Sequence, residues 1–243
     1  MTERESEWTN AASGLRMIAG AMLMQLVLVG LTVLTILLLA TSKKPEGMQG
    51  LAIVLALVGL AAQIAMVVGV FRFSHQPPPA PSTGMAQSAG AFALIGLAIS
   101  LYVLFVLMQV SSVNEHSEWD AVESAMKAAE RLPKIEVLAA VVGFTGMILL
   151  MVAAGTTAAY FRREDLVKKS RVAIGMVVLA GAVFAFIKLG ITPTSVSSAI
   201  AALVMAAVVQ IAAFVNILGT VRGLAEALLG PPPPELPRAR VVD

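Results

Sequence analysis

The amino-acid sequence predicts an all-α integral membrane protein, a six-transmembrane-helix bundle with one extracytoplasmic interfacial amphipathic helix. Three observations carry that expectation. Hydrophobic residues make up 58% of the 243 residues and charged residues only 13%, against about 25% charged in soluble domains, and mean hydropathy is +0.87. Apolar runs long enough to cross a hydrocarbon core, which takes about 20 helical residues, fall at roughly 15–40, 50–72, 90–110, 135–161, 172–191 and 196–221. All twelve prolines stand outside these runs or at their ends, so the helices are expected to be continuous.

In chain order, residues 1–14 alternate acids with Arg4 and are expected to form a cytoplasmic N-terminal segment. The apolar run that follows exceeds the roughly 7–15 residues of a signal-peptide core, so span one should remain as an anchor. Between spans two and three, "HQPPPAPSTG" is expected to be extended and partly polyproline II. Between spans three and four lies "SEWDAVESAMKAAERLP", residues 117–133. Ser117 and Asp120 have the spacing of a helix start, and Pro133 is expected to stop the helix. Trp119, Val122, Met126, Ala129 and Leu132 recur at steps of four or three, one apolar stripe on a helical period.

Opposite that stripe stand Glu123, Lys127, Glu130 and Arg131, with Glu123 and Lys127 at the supportive i, i+4 spacing. The 117–132 helix is therefore expected to lie in the interface, Trp119 at headgroup level, its acidic face turned to water or to a partner. Residues 222–243 are expected to form a proline-rich cytoplasmic tail, in which "PPPPELPRAR" pairs PxxP with basic residues, a form bound by proline-recognition modules.

Sidedness follows from lysine and arginine near the span ends. With the N-terminus inside, eleven of the seventeen fall in inner segments and five in outer loops. The remaining one is Lys188, near the outer end of span five and within snorkelling reach of the interface. Both termini are thus expected in the cytoplasm, and the abundance of Ala, Gly, Val and Pro suits a bacterial inner membrane.

The sequence offers little chemistry. With no cysteine, thiolate metal sites and disulfides are excluded. His75 and His116 both lie outside the spans, which excludes intramembrane bis-histidine haem ligation. No phosphate-binding glycine loop or nucleophile elbow occurs. No Asp or Glu lies in the core of any span, so a proton relay has no titrating group at depth. No catalytic residue, cofactor or metal is expected, and no nucleic-acid partner.

Packing chemistry is richer. Ala61, Ala65 and Gly69 fall at four-residue steps, and Gly96 with Ser100, Gly181 with Ala185, Ala202 with Ala206, and Gly219 with Gly223 repeat the spacing. Small residues let helix backbones approach closely in lipid. Gln25, Gln63, Gln210 and Asn216 add uncharged polar groups at membrane depth that need partners. Spans two and six share a QIA core, and spans one and five open on RMIAG and RVAIG, so an ancestral hairpin repeat is conceivable.

Two functions follow as expectations. The first is a non-enzymatic structural or assembly subunit, or self-associating scaffold, whose partners are the lipid bilayer and other membrane subunits or further copies of itself. The second is a passive channel or carrier for a small neutral solute or lipid, lined by Gln25, Gln63, Gln210 and Asn216 with Lys188 at its mouth.

Overall fold

A computed structural model describes residues 3–41, 48–77, 80–111, 119–188 and 196–230. They form six α-helices: α1 (Glu3–Thr41), α2 (Met48–Ser74), α3 (Thr83–Ser111), α4 (Trp119–Tyr160), α5 (Glu164–Lys188) and α6 (Val196–Leu228). No strand occurs among the described residues. All six helices are long and apolar enough to cross a membrane, which fits an integral membrane protein.

Each helix packs on its neighbour in sequence, and α1 packs on α6, so the six close into a ring; α4 also touches α6. Short connections make neighbours antiparallel. One end of the ring therefore collects the starts of α1, α3 and α5 and the ends of α2, α4 and α6, and is called here the basal end. Large apolar side chains face outward all round, among them Val27, Phe105, Val141, Phe186 and Val208, with Phe105 64% exposed. In water such a surface would be prohibitive, whereas hydrocarbon accepts it.

Glycines set how closely the helices approach. At the α1–α2 crossing, a Cβ on Gly14 would lie 2.5 Å from the Gly69 carbonyl oxygen and 2.6 Å from the Phe73 amide nitrogen, so backbone meets backbone. Gly155 on α4 abuts Ser170 on α5, where an added Cβ would stand 2.8 Å from Oγ. The buried Ser170 hydroxyl donates to the Met151 carbonyl. Gly223 on α6 receives Leu166 of α5, with Cδ2 at 2.7 Å from the same construction.

Among the described residues, the core lies at the basal end. Trp8, Ala11, Ala12 and Leu15 of α1 join Phe73, Ala86, Ala154, Ala158, Leu166, Leu224, Ala225 and Leu228 in one buried cluster. Trp8 stacks on Tyr160, with centroids 6.2 Å apart, and meets Phe161 edge-on at 5.0 Å. Residues 1–14 were expected as a segment outside the bundle, and residues 222–243 as a tail. Instead α1 begins at Glu3 and α6 continues to Leu228, and both extensions bury apolar faces against the other helices. The acids at positions 3, 5 and 7 lower the hydropathy of the first turns without preventing one face from packing. Residues 231–243 lie outside the described residues.

The turn after α4 is a Schellman motif. The Arg163 N–H donates to the Ala158 carbonyl and the Arg162 N–H to the Ala159 carbonyl, both at 2.9 Å. Arg162 occupies the left-handed position, φ 56°, where glycine is usual. Arg163 then forms a bidentate, exposed pair with Asp165.

Pro133 does not stop the helix that precedes it: α4 is continuous from Trp119 to Tyr160, 42 residues. The expected boundary between an outer helix and span four is absent. A proline inside a helix removes one hydrogen bond and costs about 3 kcal/mol. The surrounding Ala, Glu, Arg, Leu and Lys are strong helix formers, and water can satisfy a freed carbonyl beyond the hydrocarbon. Ser117, also expected in that helix, lies outside the described residues.

Candidate functional site: a central cavity ringed by carboxamides

A closed ring of six helices need not fill its axis, and this one does not. A cavity of about 430 Å3 lies at mid-height, lined from every helix. Its wall is apolar and aromatic, with Met66, Phe92, Phe144, Met147, Phe184 and Phe214 contributing, and among the described residues no ionisable one lines it. Gln25 of α1, Gln63 of α2 and Gln210 of α6 all line it. These were three of the four intramembrane amides singled out from sequence. The Gln63 carboxamide oxygen is buried without a hydrogen-bond partner, a condition that costs about 1–3 kcal/mol if nothing else satisfies it.

The fourth amide does not line the cavity. Asn216 donates from Nδ2 to the Ala212 carbonyl of its own helix at 2.8 Å. One of its donors is thus taken up one turn back within its own helix. Lys188 is the last residue of α5, and its side chain lies outside the described residues.

The cavity has a floor. Val70, Ala89, Leu150, Val177 and Ile217 line it and also belong to the buried basal cluster. Beneath them that cluster continues through Ile18, Leu15, Phe73, Ala154, Leu166 and Leu224 to Trp8. Packed side chains therefore close the basal side.

The proline-rich connection strengthens this closure. Its flanks turn inward: Gln76 and Ser82 are buried. The Ser82 and Gln76 side chains are hydrogen-bonded at 2.7 Å, and Ser82 Oγ also lies 2.7 Å from Thr157 Oγ1 on α4. Thr157 donates in turn to the Ala153 carbonyl at 2.9 Å. Buried polar groups satisfied in this way fix a single arrangement, here tying the α2–α3 connection to α4. Pro78 and Pro79 lie outside the described residues. His75 Nδ1 lies 2.7 Å from the Phe71 carbonyl and helps to close the end of α2.

The small residues divide by position. Gly69 and Gly223 make close intramolecular crossings, while Gly181 and Gly96 make ordinary van der Waals contact with Phe144 and Val142. Gly219 faces open space. Ala61 and Ala185 are exposed, whereas Ala65 and Ser100 are half-buried. The side chains of Ala202 and Ala206 lie outside the described residues. Three glycines absent from the sequence reading, Gly14, Gly146 and Gly155, make approaches of 3.0 Å or less. Their partners are distant in sequence, and Gly14 lay in the segment assigned outside the membrane.

On the N-terminal part of α4, Trp119, Glu123, Lys127, Glu130 and Arg131 are all exposed, and Lys127 pairs with Glu123 at the anticipated spacing. His116 and its acidic neighbours at 115 and 118 lie outside the described residues. Among the described residues, no group of three His, Asp or Glu side chains could hold a metal ion. Comparison with protein-family models, with curated proteins and with solved structures gives no match.

Proposed function

We propose that this chain is a membrane carrier or binding protein for a small neutral molecule, held in the central cavity and exchanged without an open pore. The observation that carries this reading is the convergence of three glutamines from three helices on an apolar cavity whose basal side is packed shut. Ligand sites are typically concave, mostly apolar and about 300–1,000 Å3, with a few placed polar groups. The closed floor favours a carrier or binding protein over a channel.

We further propose that the basal end faces the cytoplasm of a bacterial inner membrane, with both termini there. It carries Arg16, Arg72, Arg162, Arg163, Lys168, Lys169, Arg171 and Arg222 in the basal part of the helices or in the α4–α5 turn, the side that retains positive charge. The assembly-subunit reading keeps one supporting observation, the exposed Trp119 and Met126 beside the Glu123–Lys127 pair near the start of α4. It loses support from the small residues, since Gly69, Gly181 and Gly223 find partners inside the ring.

The cysteine-free sequence makes accessibility a clean test. A cysteine at Ala93, on the cavity wall, should react with a small membrane-permeant maleimide and not with a charged reagent applied from the basal side. Adding Gly143→Trp, at a wall position with open space beyond its Cα, should block the permeant reagent. Unchanged labelling in that double variant, or reaction with the charged reagent from the basal side, would sink the reading.

A further inference from the structure

If the cavity is a ligand site, its wall also specifies what kind of ligand it takes. Filled with water, about 430 Å3 would hold about fourteen molecules at about 30 Å3 each. Those waters would bond chiefly to one another, since a wall of rings and aliphatic side chains offers them little beyond three glutamines. A fully apolar occupant would suit the rings and methionines but leave the Gln63 carboxamide oxygen unpaired. A charged occupant would find no counter-ion among the described lining residues, and an unpaired buried charge is costlier than any other arrangement.

We infer that the cavity takes an uncharged amphiphile, an apolar chain or ring system carrying one hydroxyl that hydrogen-bonds the Gln63 carboxamide. A hydroxyl suits this amide whichever end it presents, because it donates to the oxygen and accepts from the nitrogen. The terminal torsion of a glutamine is broad and roughly two-fold, so a turn about it brings either end to the cavity. Phe92, Phe144, Phe184 and Phe214 pack the apolar remainder. The shared chemistry is that of a neutral lipid alcohol, whether drawn from the bilayer or delivered as a free solute. This inference rests on the cavity reading above, and the following arms separate the two.

The test uses three photoreactive probes on the full-length protein in lipid nanodiscs: a diazirine-bearing long-chain alcohol, the same chain ending in methyl, and the same chain ending in a sulfonate. Sites of attachment are mapped by peptide mass. The alcohol should label the cavity wall at a mole fraction about tenfold below that needed by the methyl-ended chain, the scale expected for one buried hydrogen bond. The sulfonate should not label the wall. Gln63→Leu should bring alcohol and methyl-ended chain to within about twofold, the retained methyl-ended labelling showing that the variant still folds.

Equal labelling by alcohol and methyl-ended chain in the native protein would overturn the hydroxyl inference and leave the cavity reading standing. Wall labelling by the sulfonate would overturn the neutral class. Wall labelling by no probe, or labelling unaltered by Gly143→Trp, would overturn both. Loading from the bilayer leaves wall labelling independent of the total nanodisc concentration at fixed mole fraction, whereas uptake of free solute makes it follow the aqueous concentration; either dependence supports the shared chemistry.

Discussion

Gly14→Ala should destabilise the protein by about 2 kcal/mol, although alanine is the better helix former. The added Cβ would lie 2.5 Å from the Gly69 carbonyl oxygen and 2.6 Å from the Phe73 amide nitrogen, where a carbon–oxygen contact normally needs about 3.3 Å or more. Roughly 0.8 Å of relief is therefore required. Both obstacles are backbone atoms of a regular helix, so no side chain can swing aside. Overpacking of this kind costs about 1–3 kcal/mol, and the upper end applies because opening the seam loosens Leu15, Ile18 and Phe73 together. Against this, replacing glycine by alanine in a helix returns about 0.5–1 kcal/mol.

Gly20, less than two turns further along α1, has nothing within 4 Å of its added Cβ. Gly20→Ala should keep the propensity gain and raise stability by up to about 1 kcal/mol. Reversible unfolding of both variants in mixed micelles, titrated with a denaturing detergent, gives the comparison directly. The reasoning fails if Gly14→Ala proves as stable as Gly20→Ala.

Trp8→Ala should cost about 3–5 kcal/mol, the range for truncating a buried large aromatic, because Trp8 closes the basal cluster against Tyr160 and Phe161; the same unfolding titration reads it. Arg162→Gly should raise stability by about 1 kcal/mol, since the left-handed backbone at φ 56° burdens every residue with a Cβ and spares glycine. A thermal scan comparing it with Arg162→Ala, which keeps the Cβ, isolates the backbone effect from the lost charge.

The helices were legible in the sequence because lipid imposes a length and a polarity that a single run reveals. Where each helix ends was less so. The first turns of α1 carry three acids, and hydropathy averages over faces, so the buried stripe of Trp8, Ala11, Ala12 and Leu15 is hidden by the charges beside it. Gln25, Gln63 and Gln210 were legible as amides out of place, since hydrocarbon makes each one costly; that they share one cavity depends on the ring closing α1 on α6. Asn216 carried the same signal but bonds back to the Ala212 carbonyl of its own helix and does not line the cavity.

The Gln76–Ser82–Thr157 tie had no signature. Ser82 and Thr157 are 75 residues apart across α3 and α4, and a run of prolines reads as extended chain until one sees what its flanks touch. Pro133 was read by its local rule, and the helical tendency on both sides outweighs that rule.

The most direct test of the central claim is to identify what travels in the cavity. Native mass analysis in a gentle lipid-preserving detergent should be run on the protein extracted from its own membrane, alongside Gly143→Trp and Gly175→Trp. Gly175 also has open space about it but does not line the cavity, so its variant controls for a bulky addition. A neutral amphiphile bound in defined stoichiometry to the native protein and to Gly175→Trp, and lost from Gly143→Trp, is the predicted result. The same lipids retained by all three proteins, or a stoichiometric foreign subunit in place of a small molecule, would contradict the account.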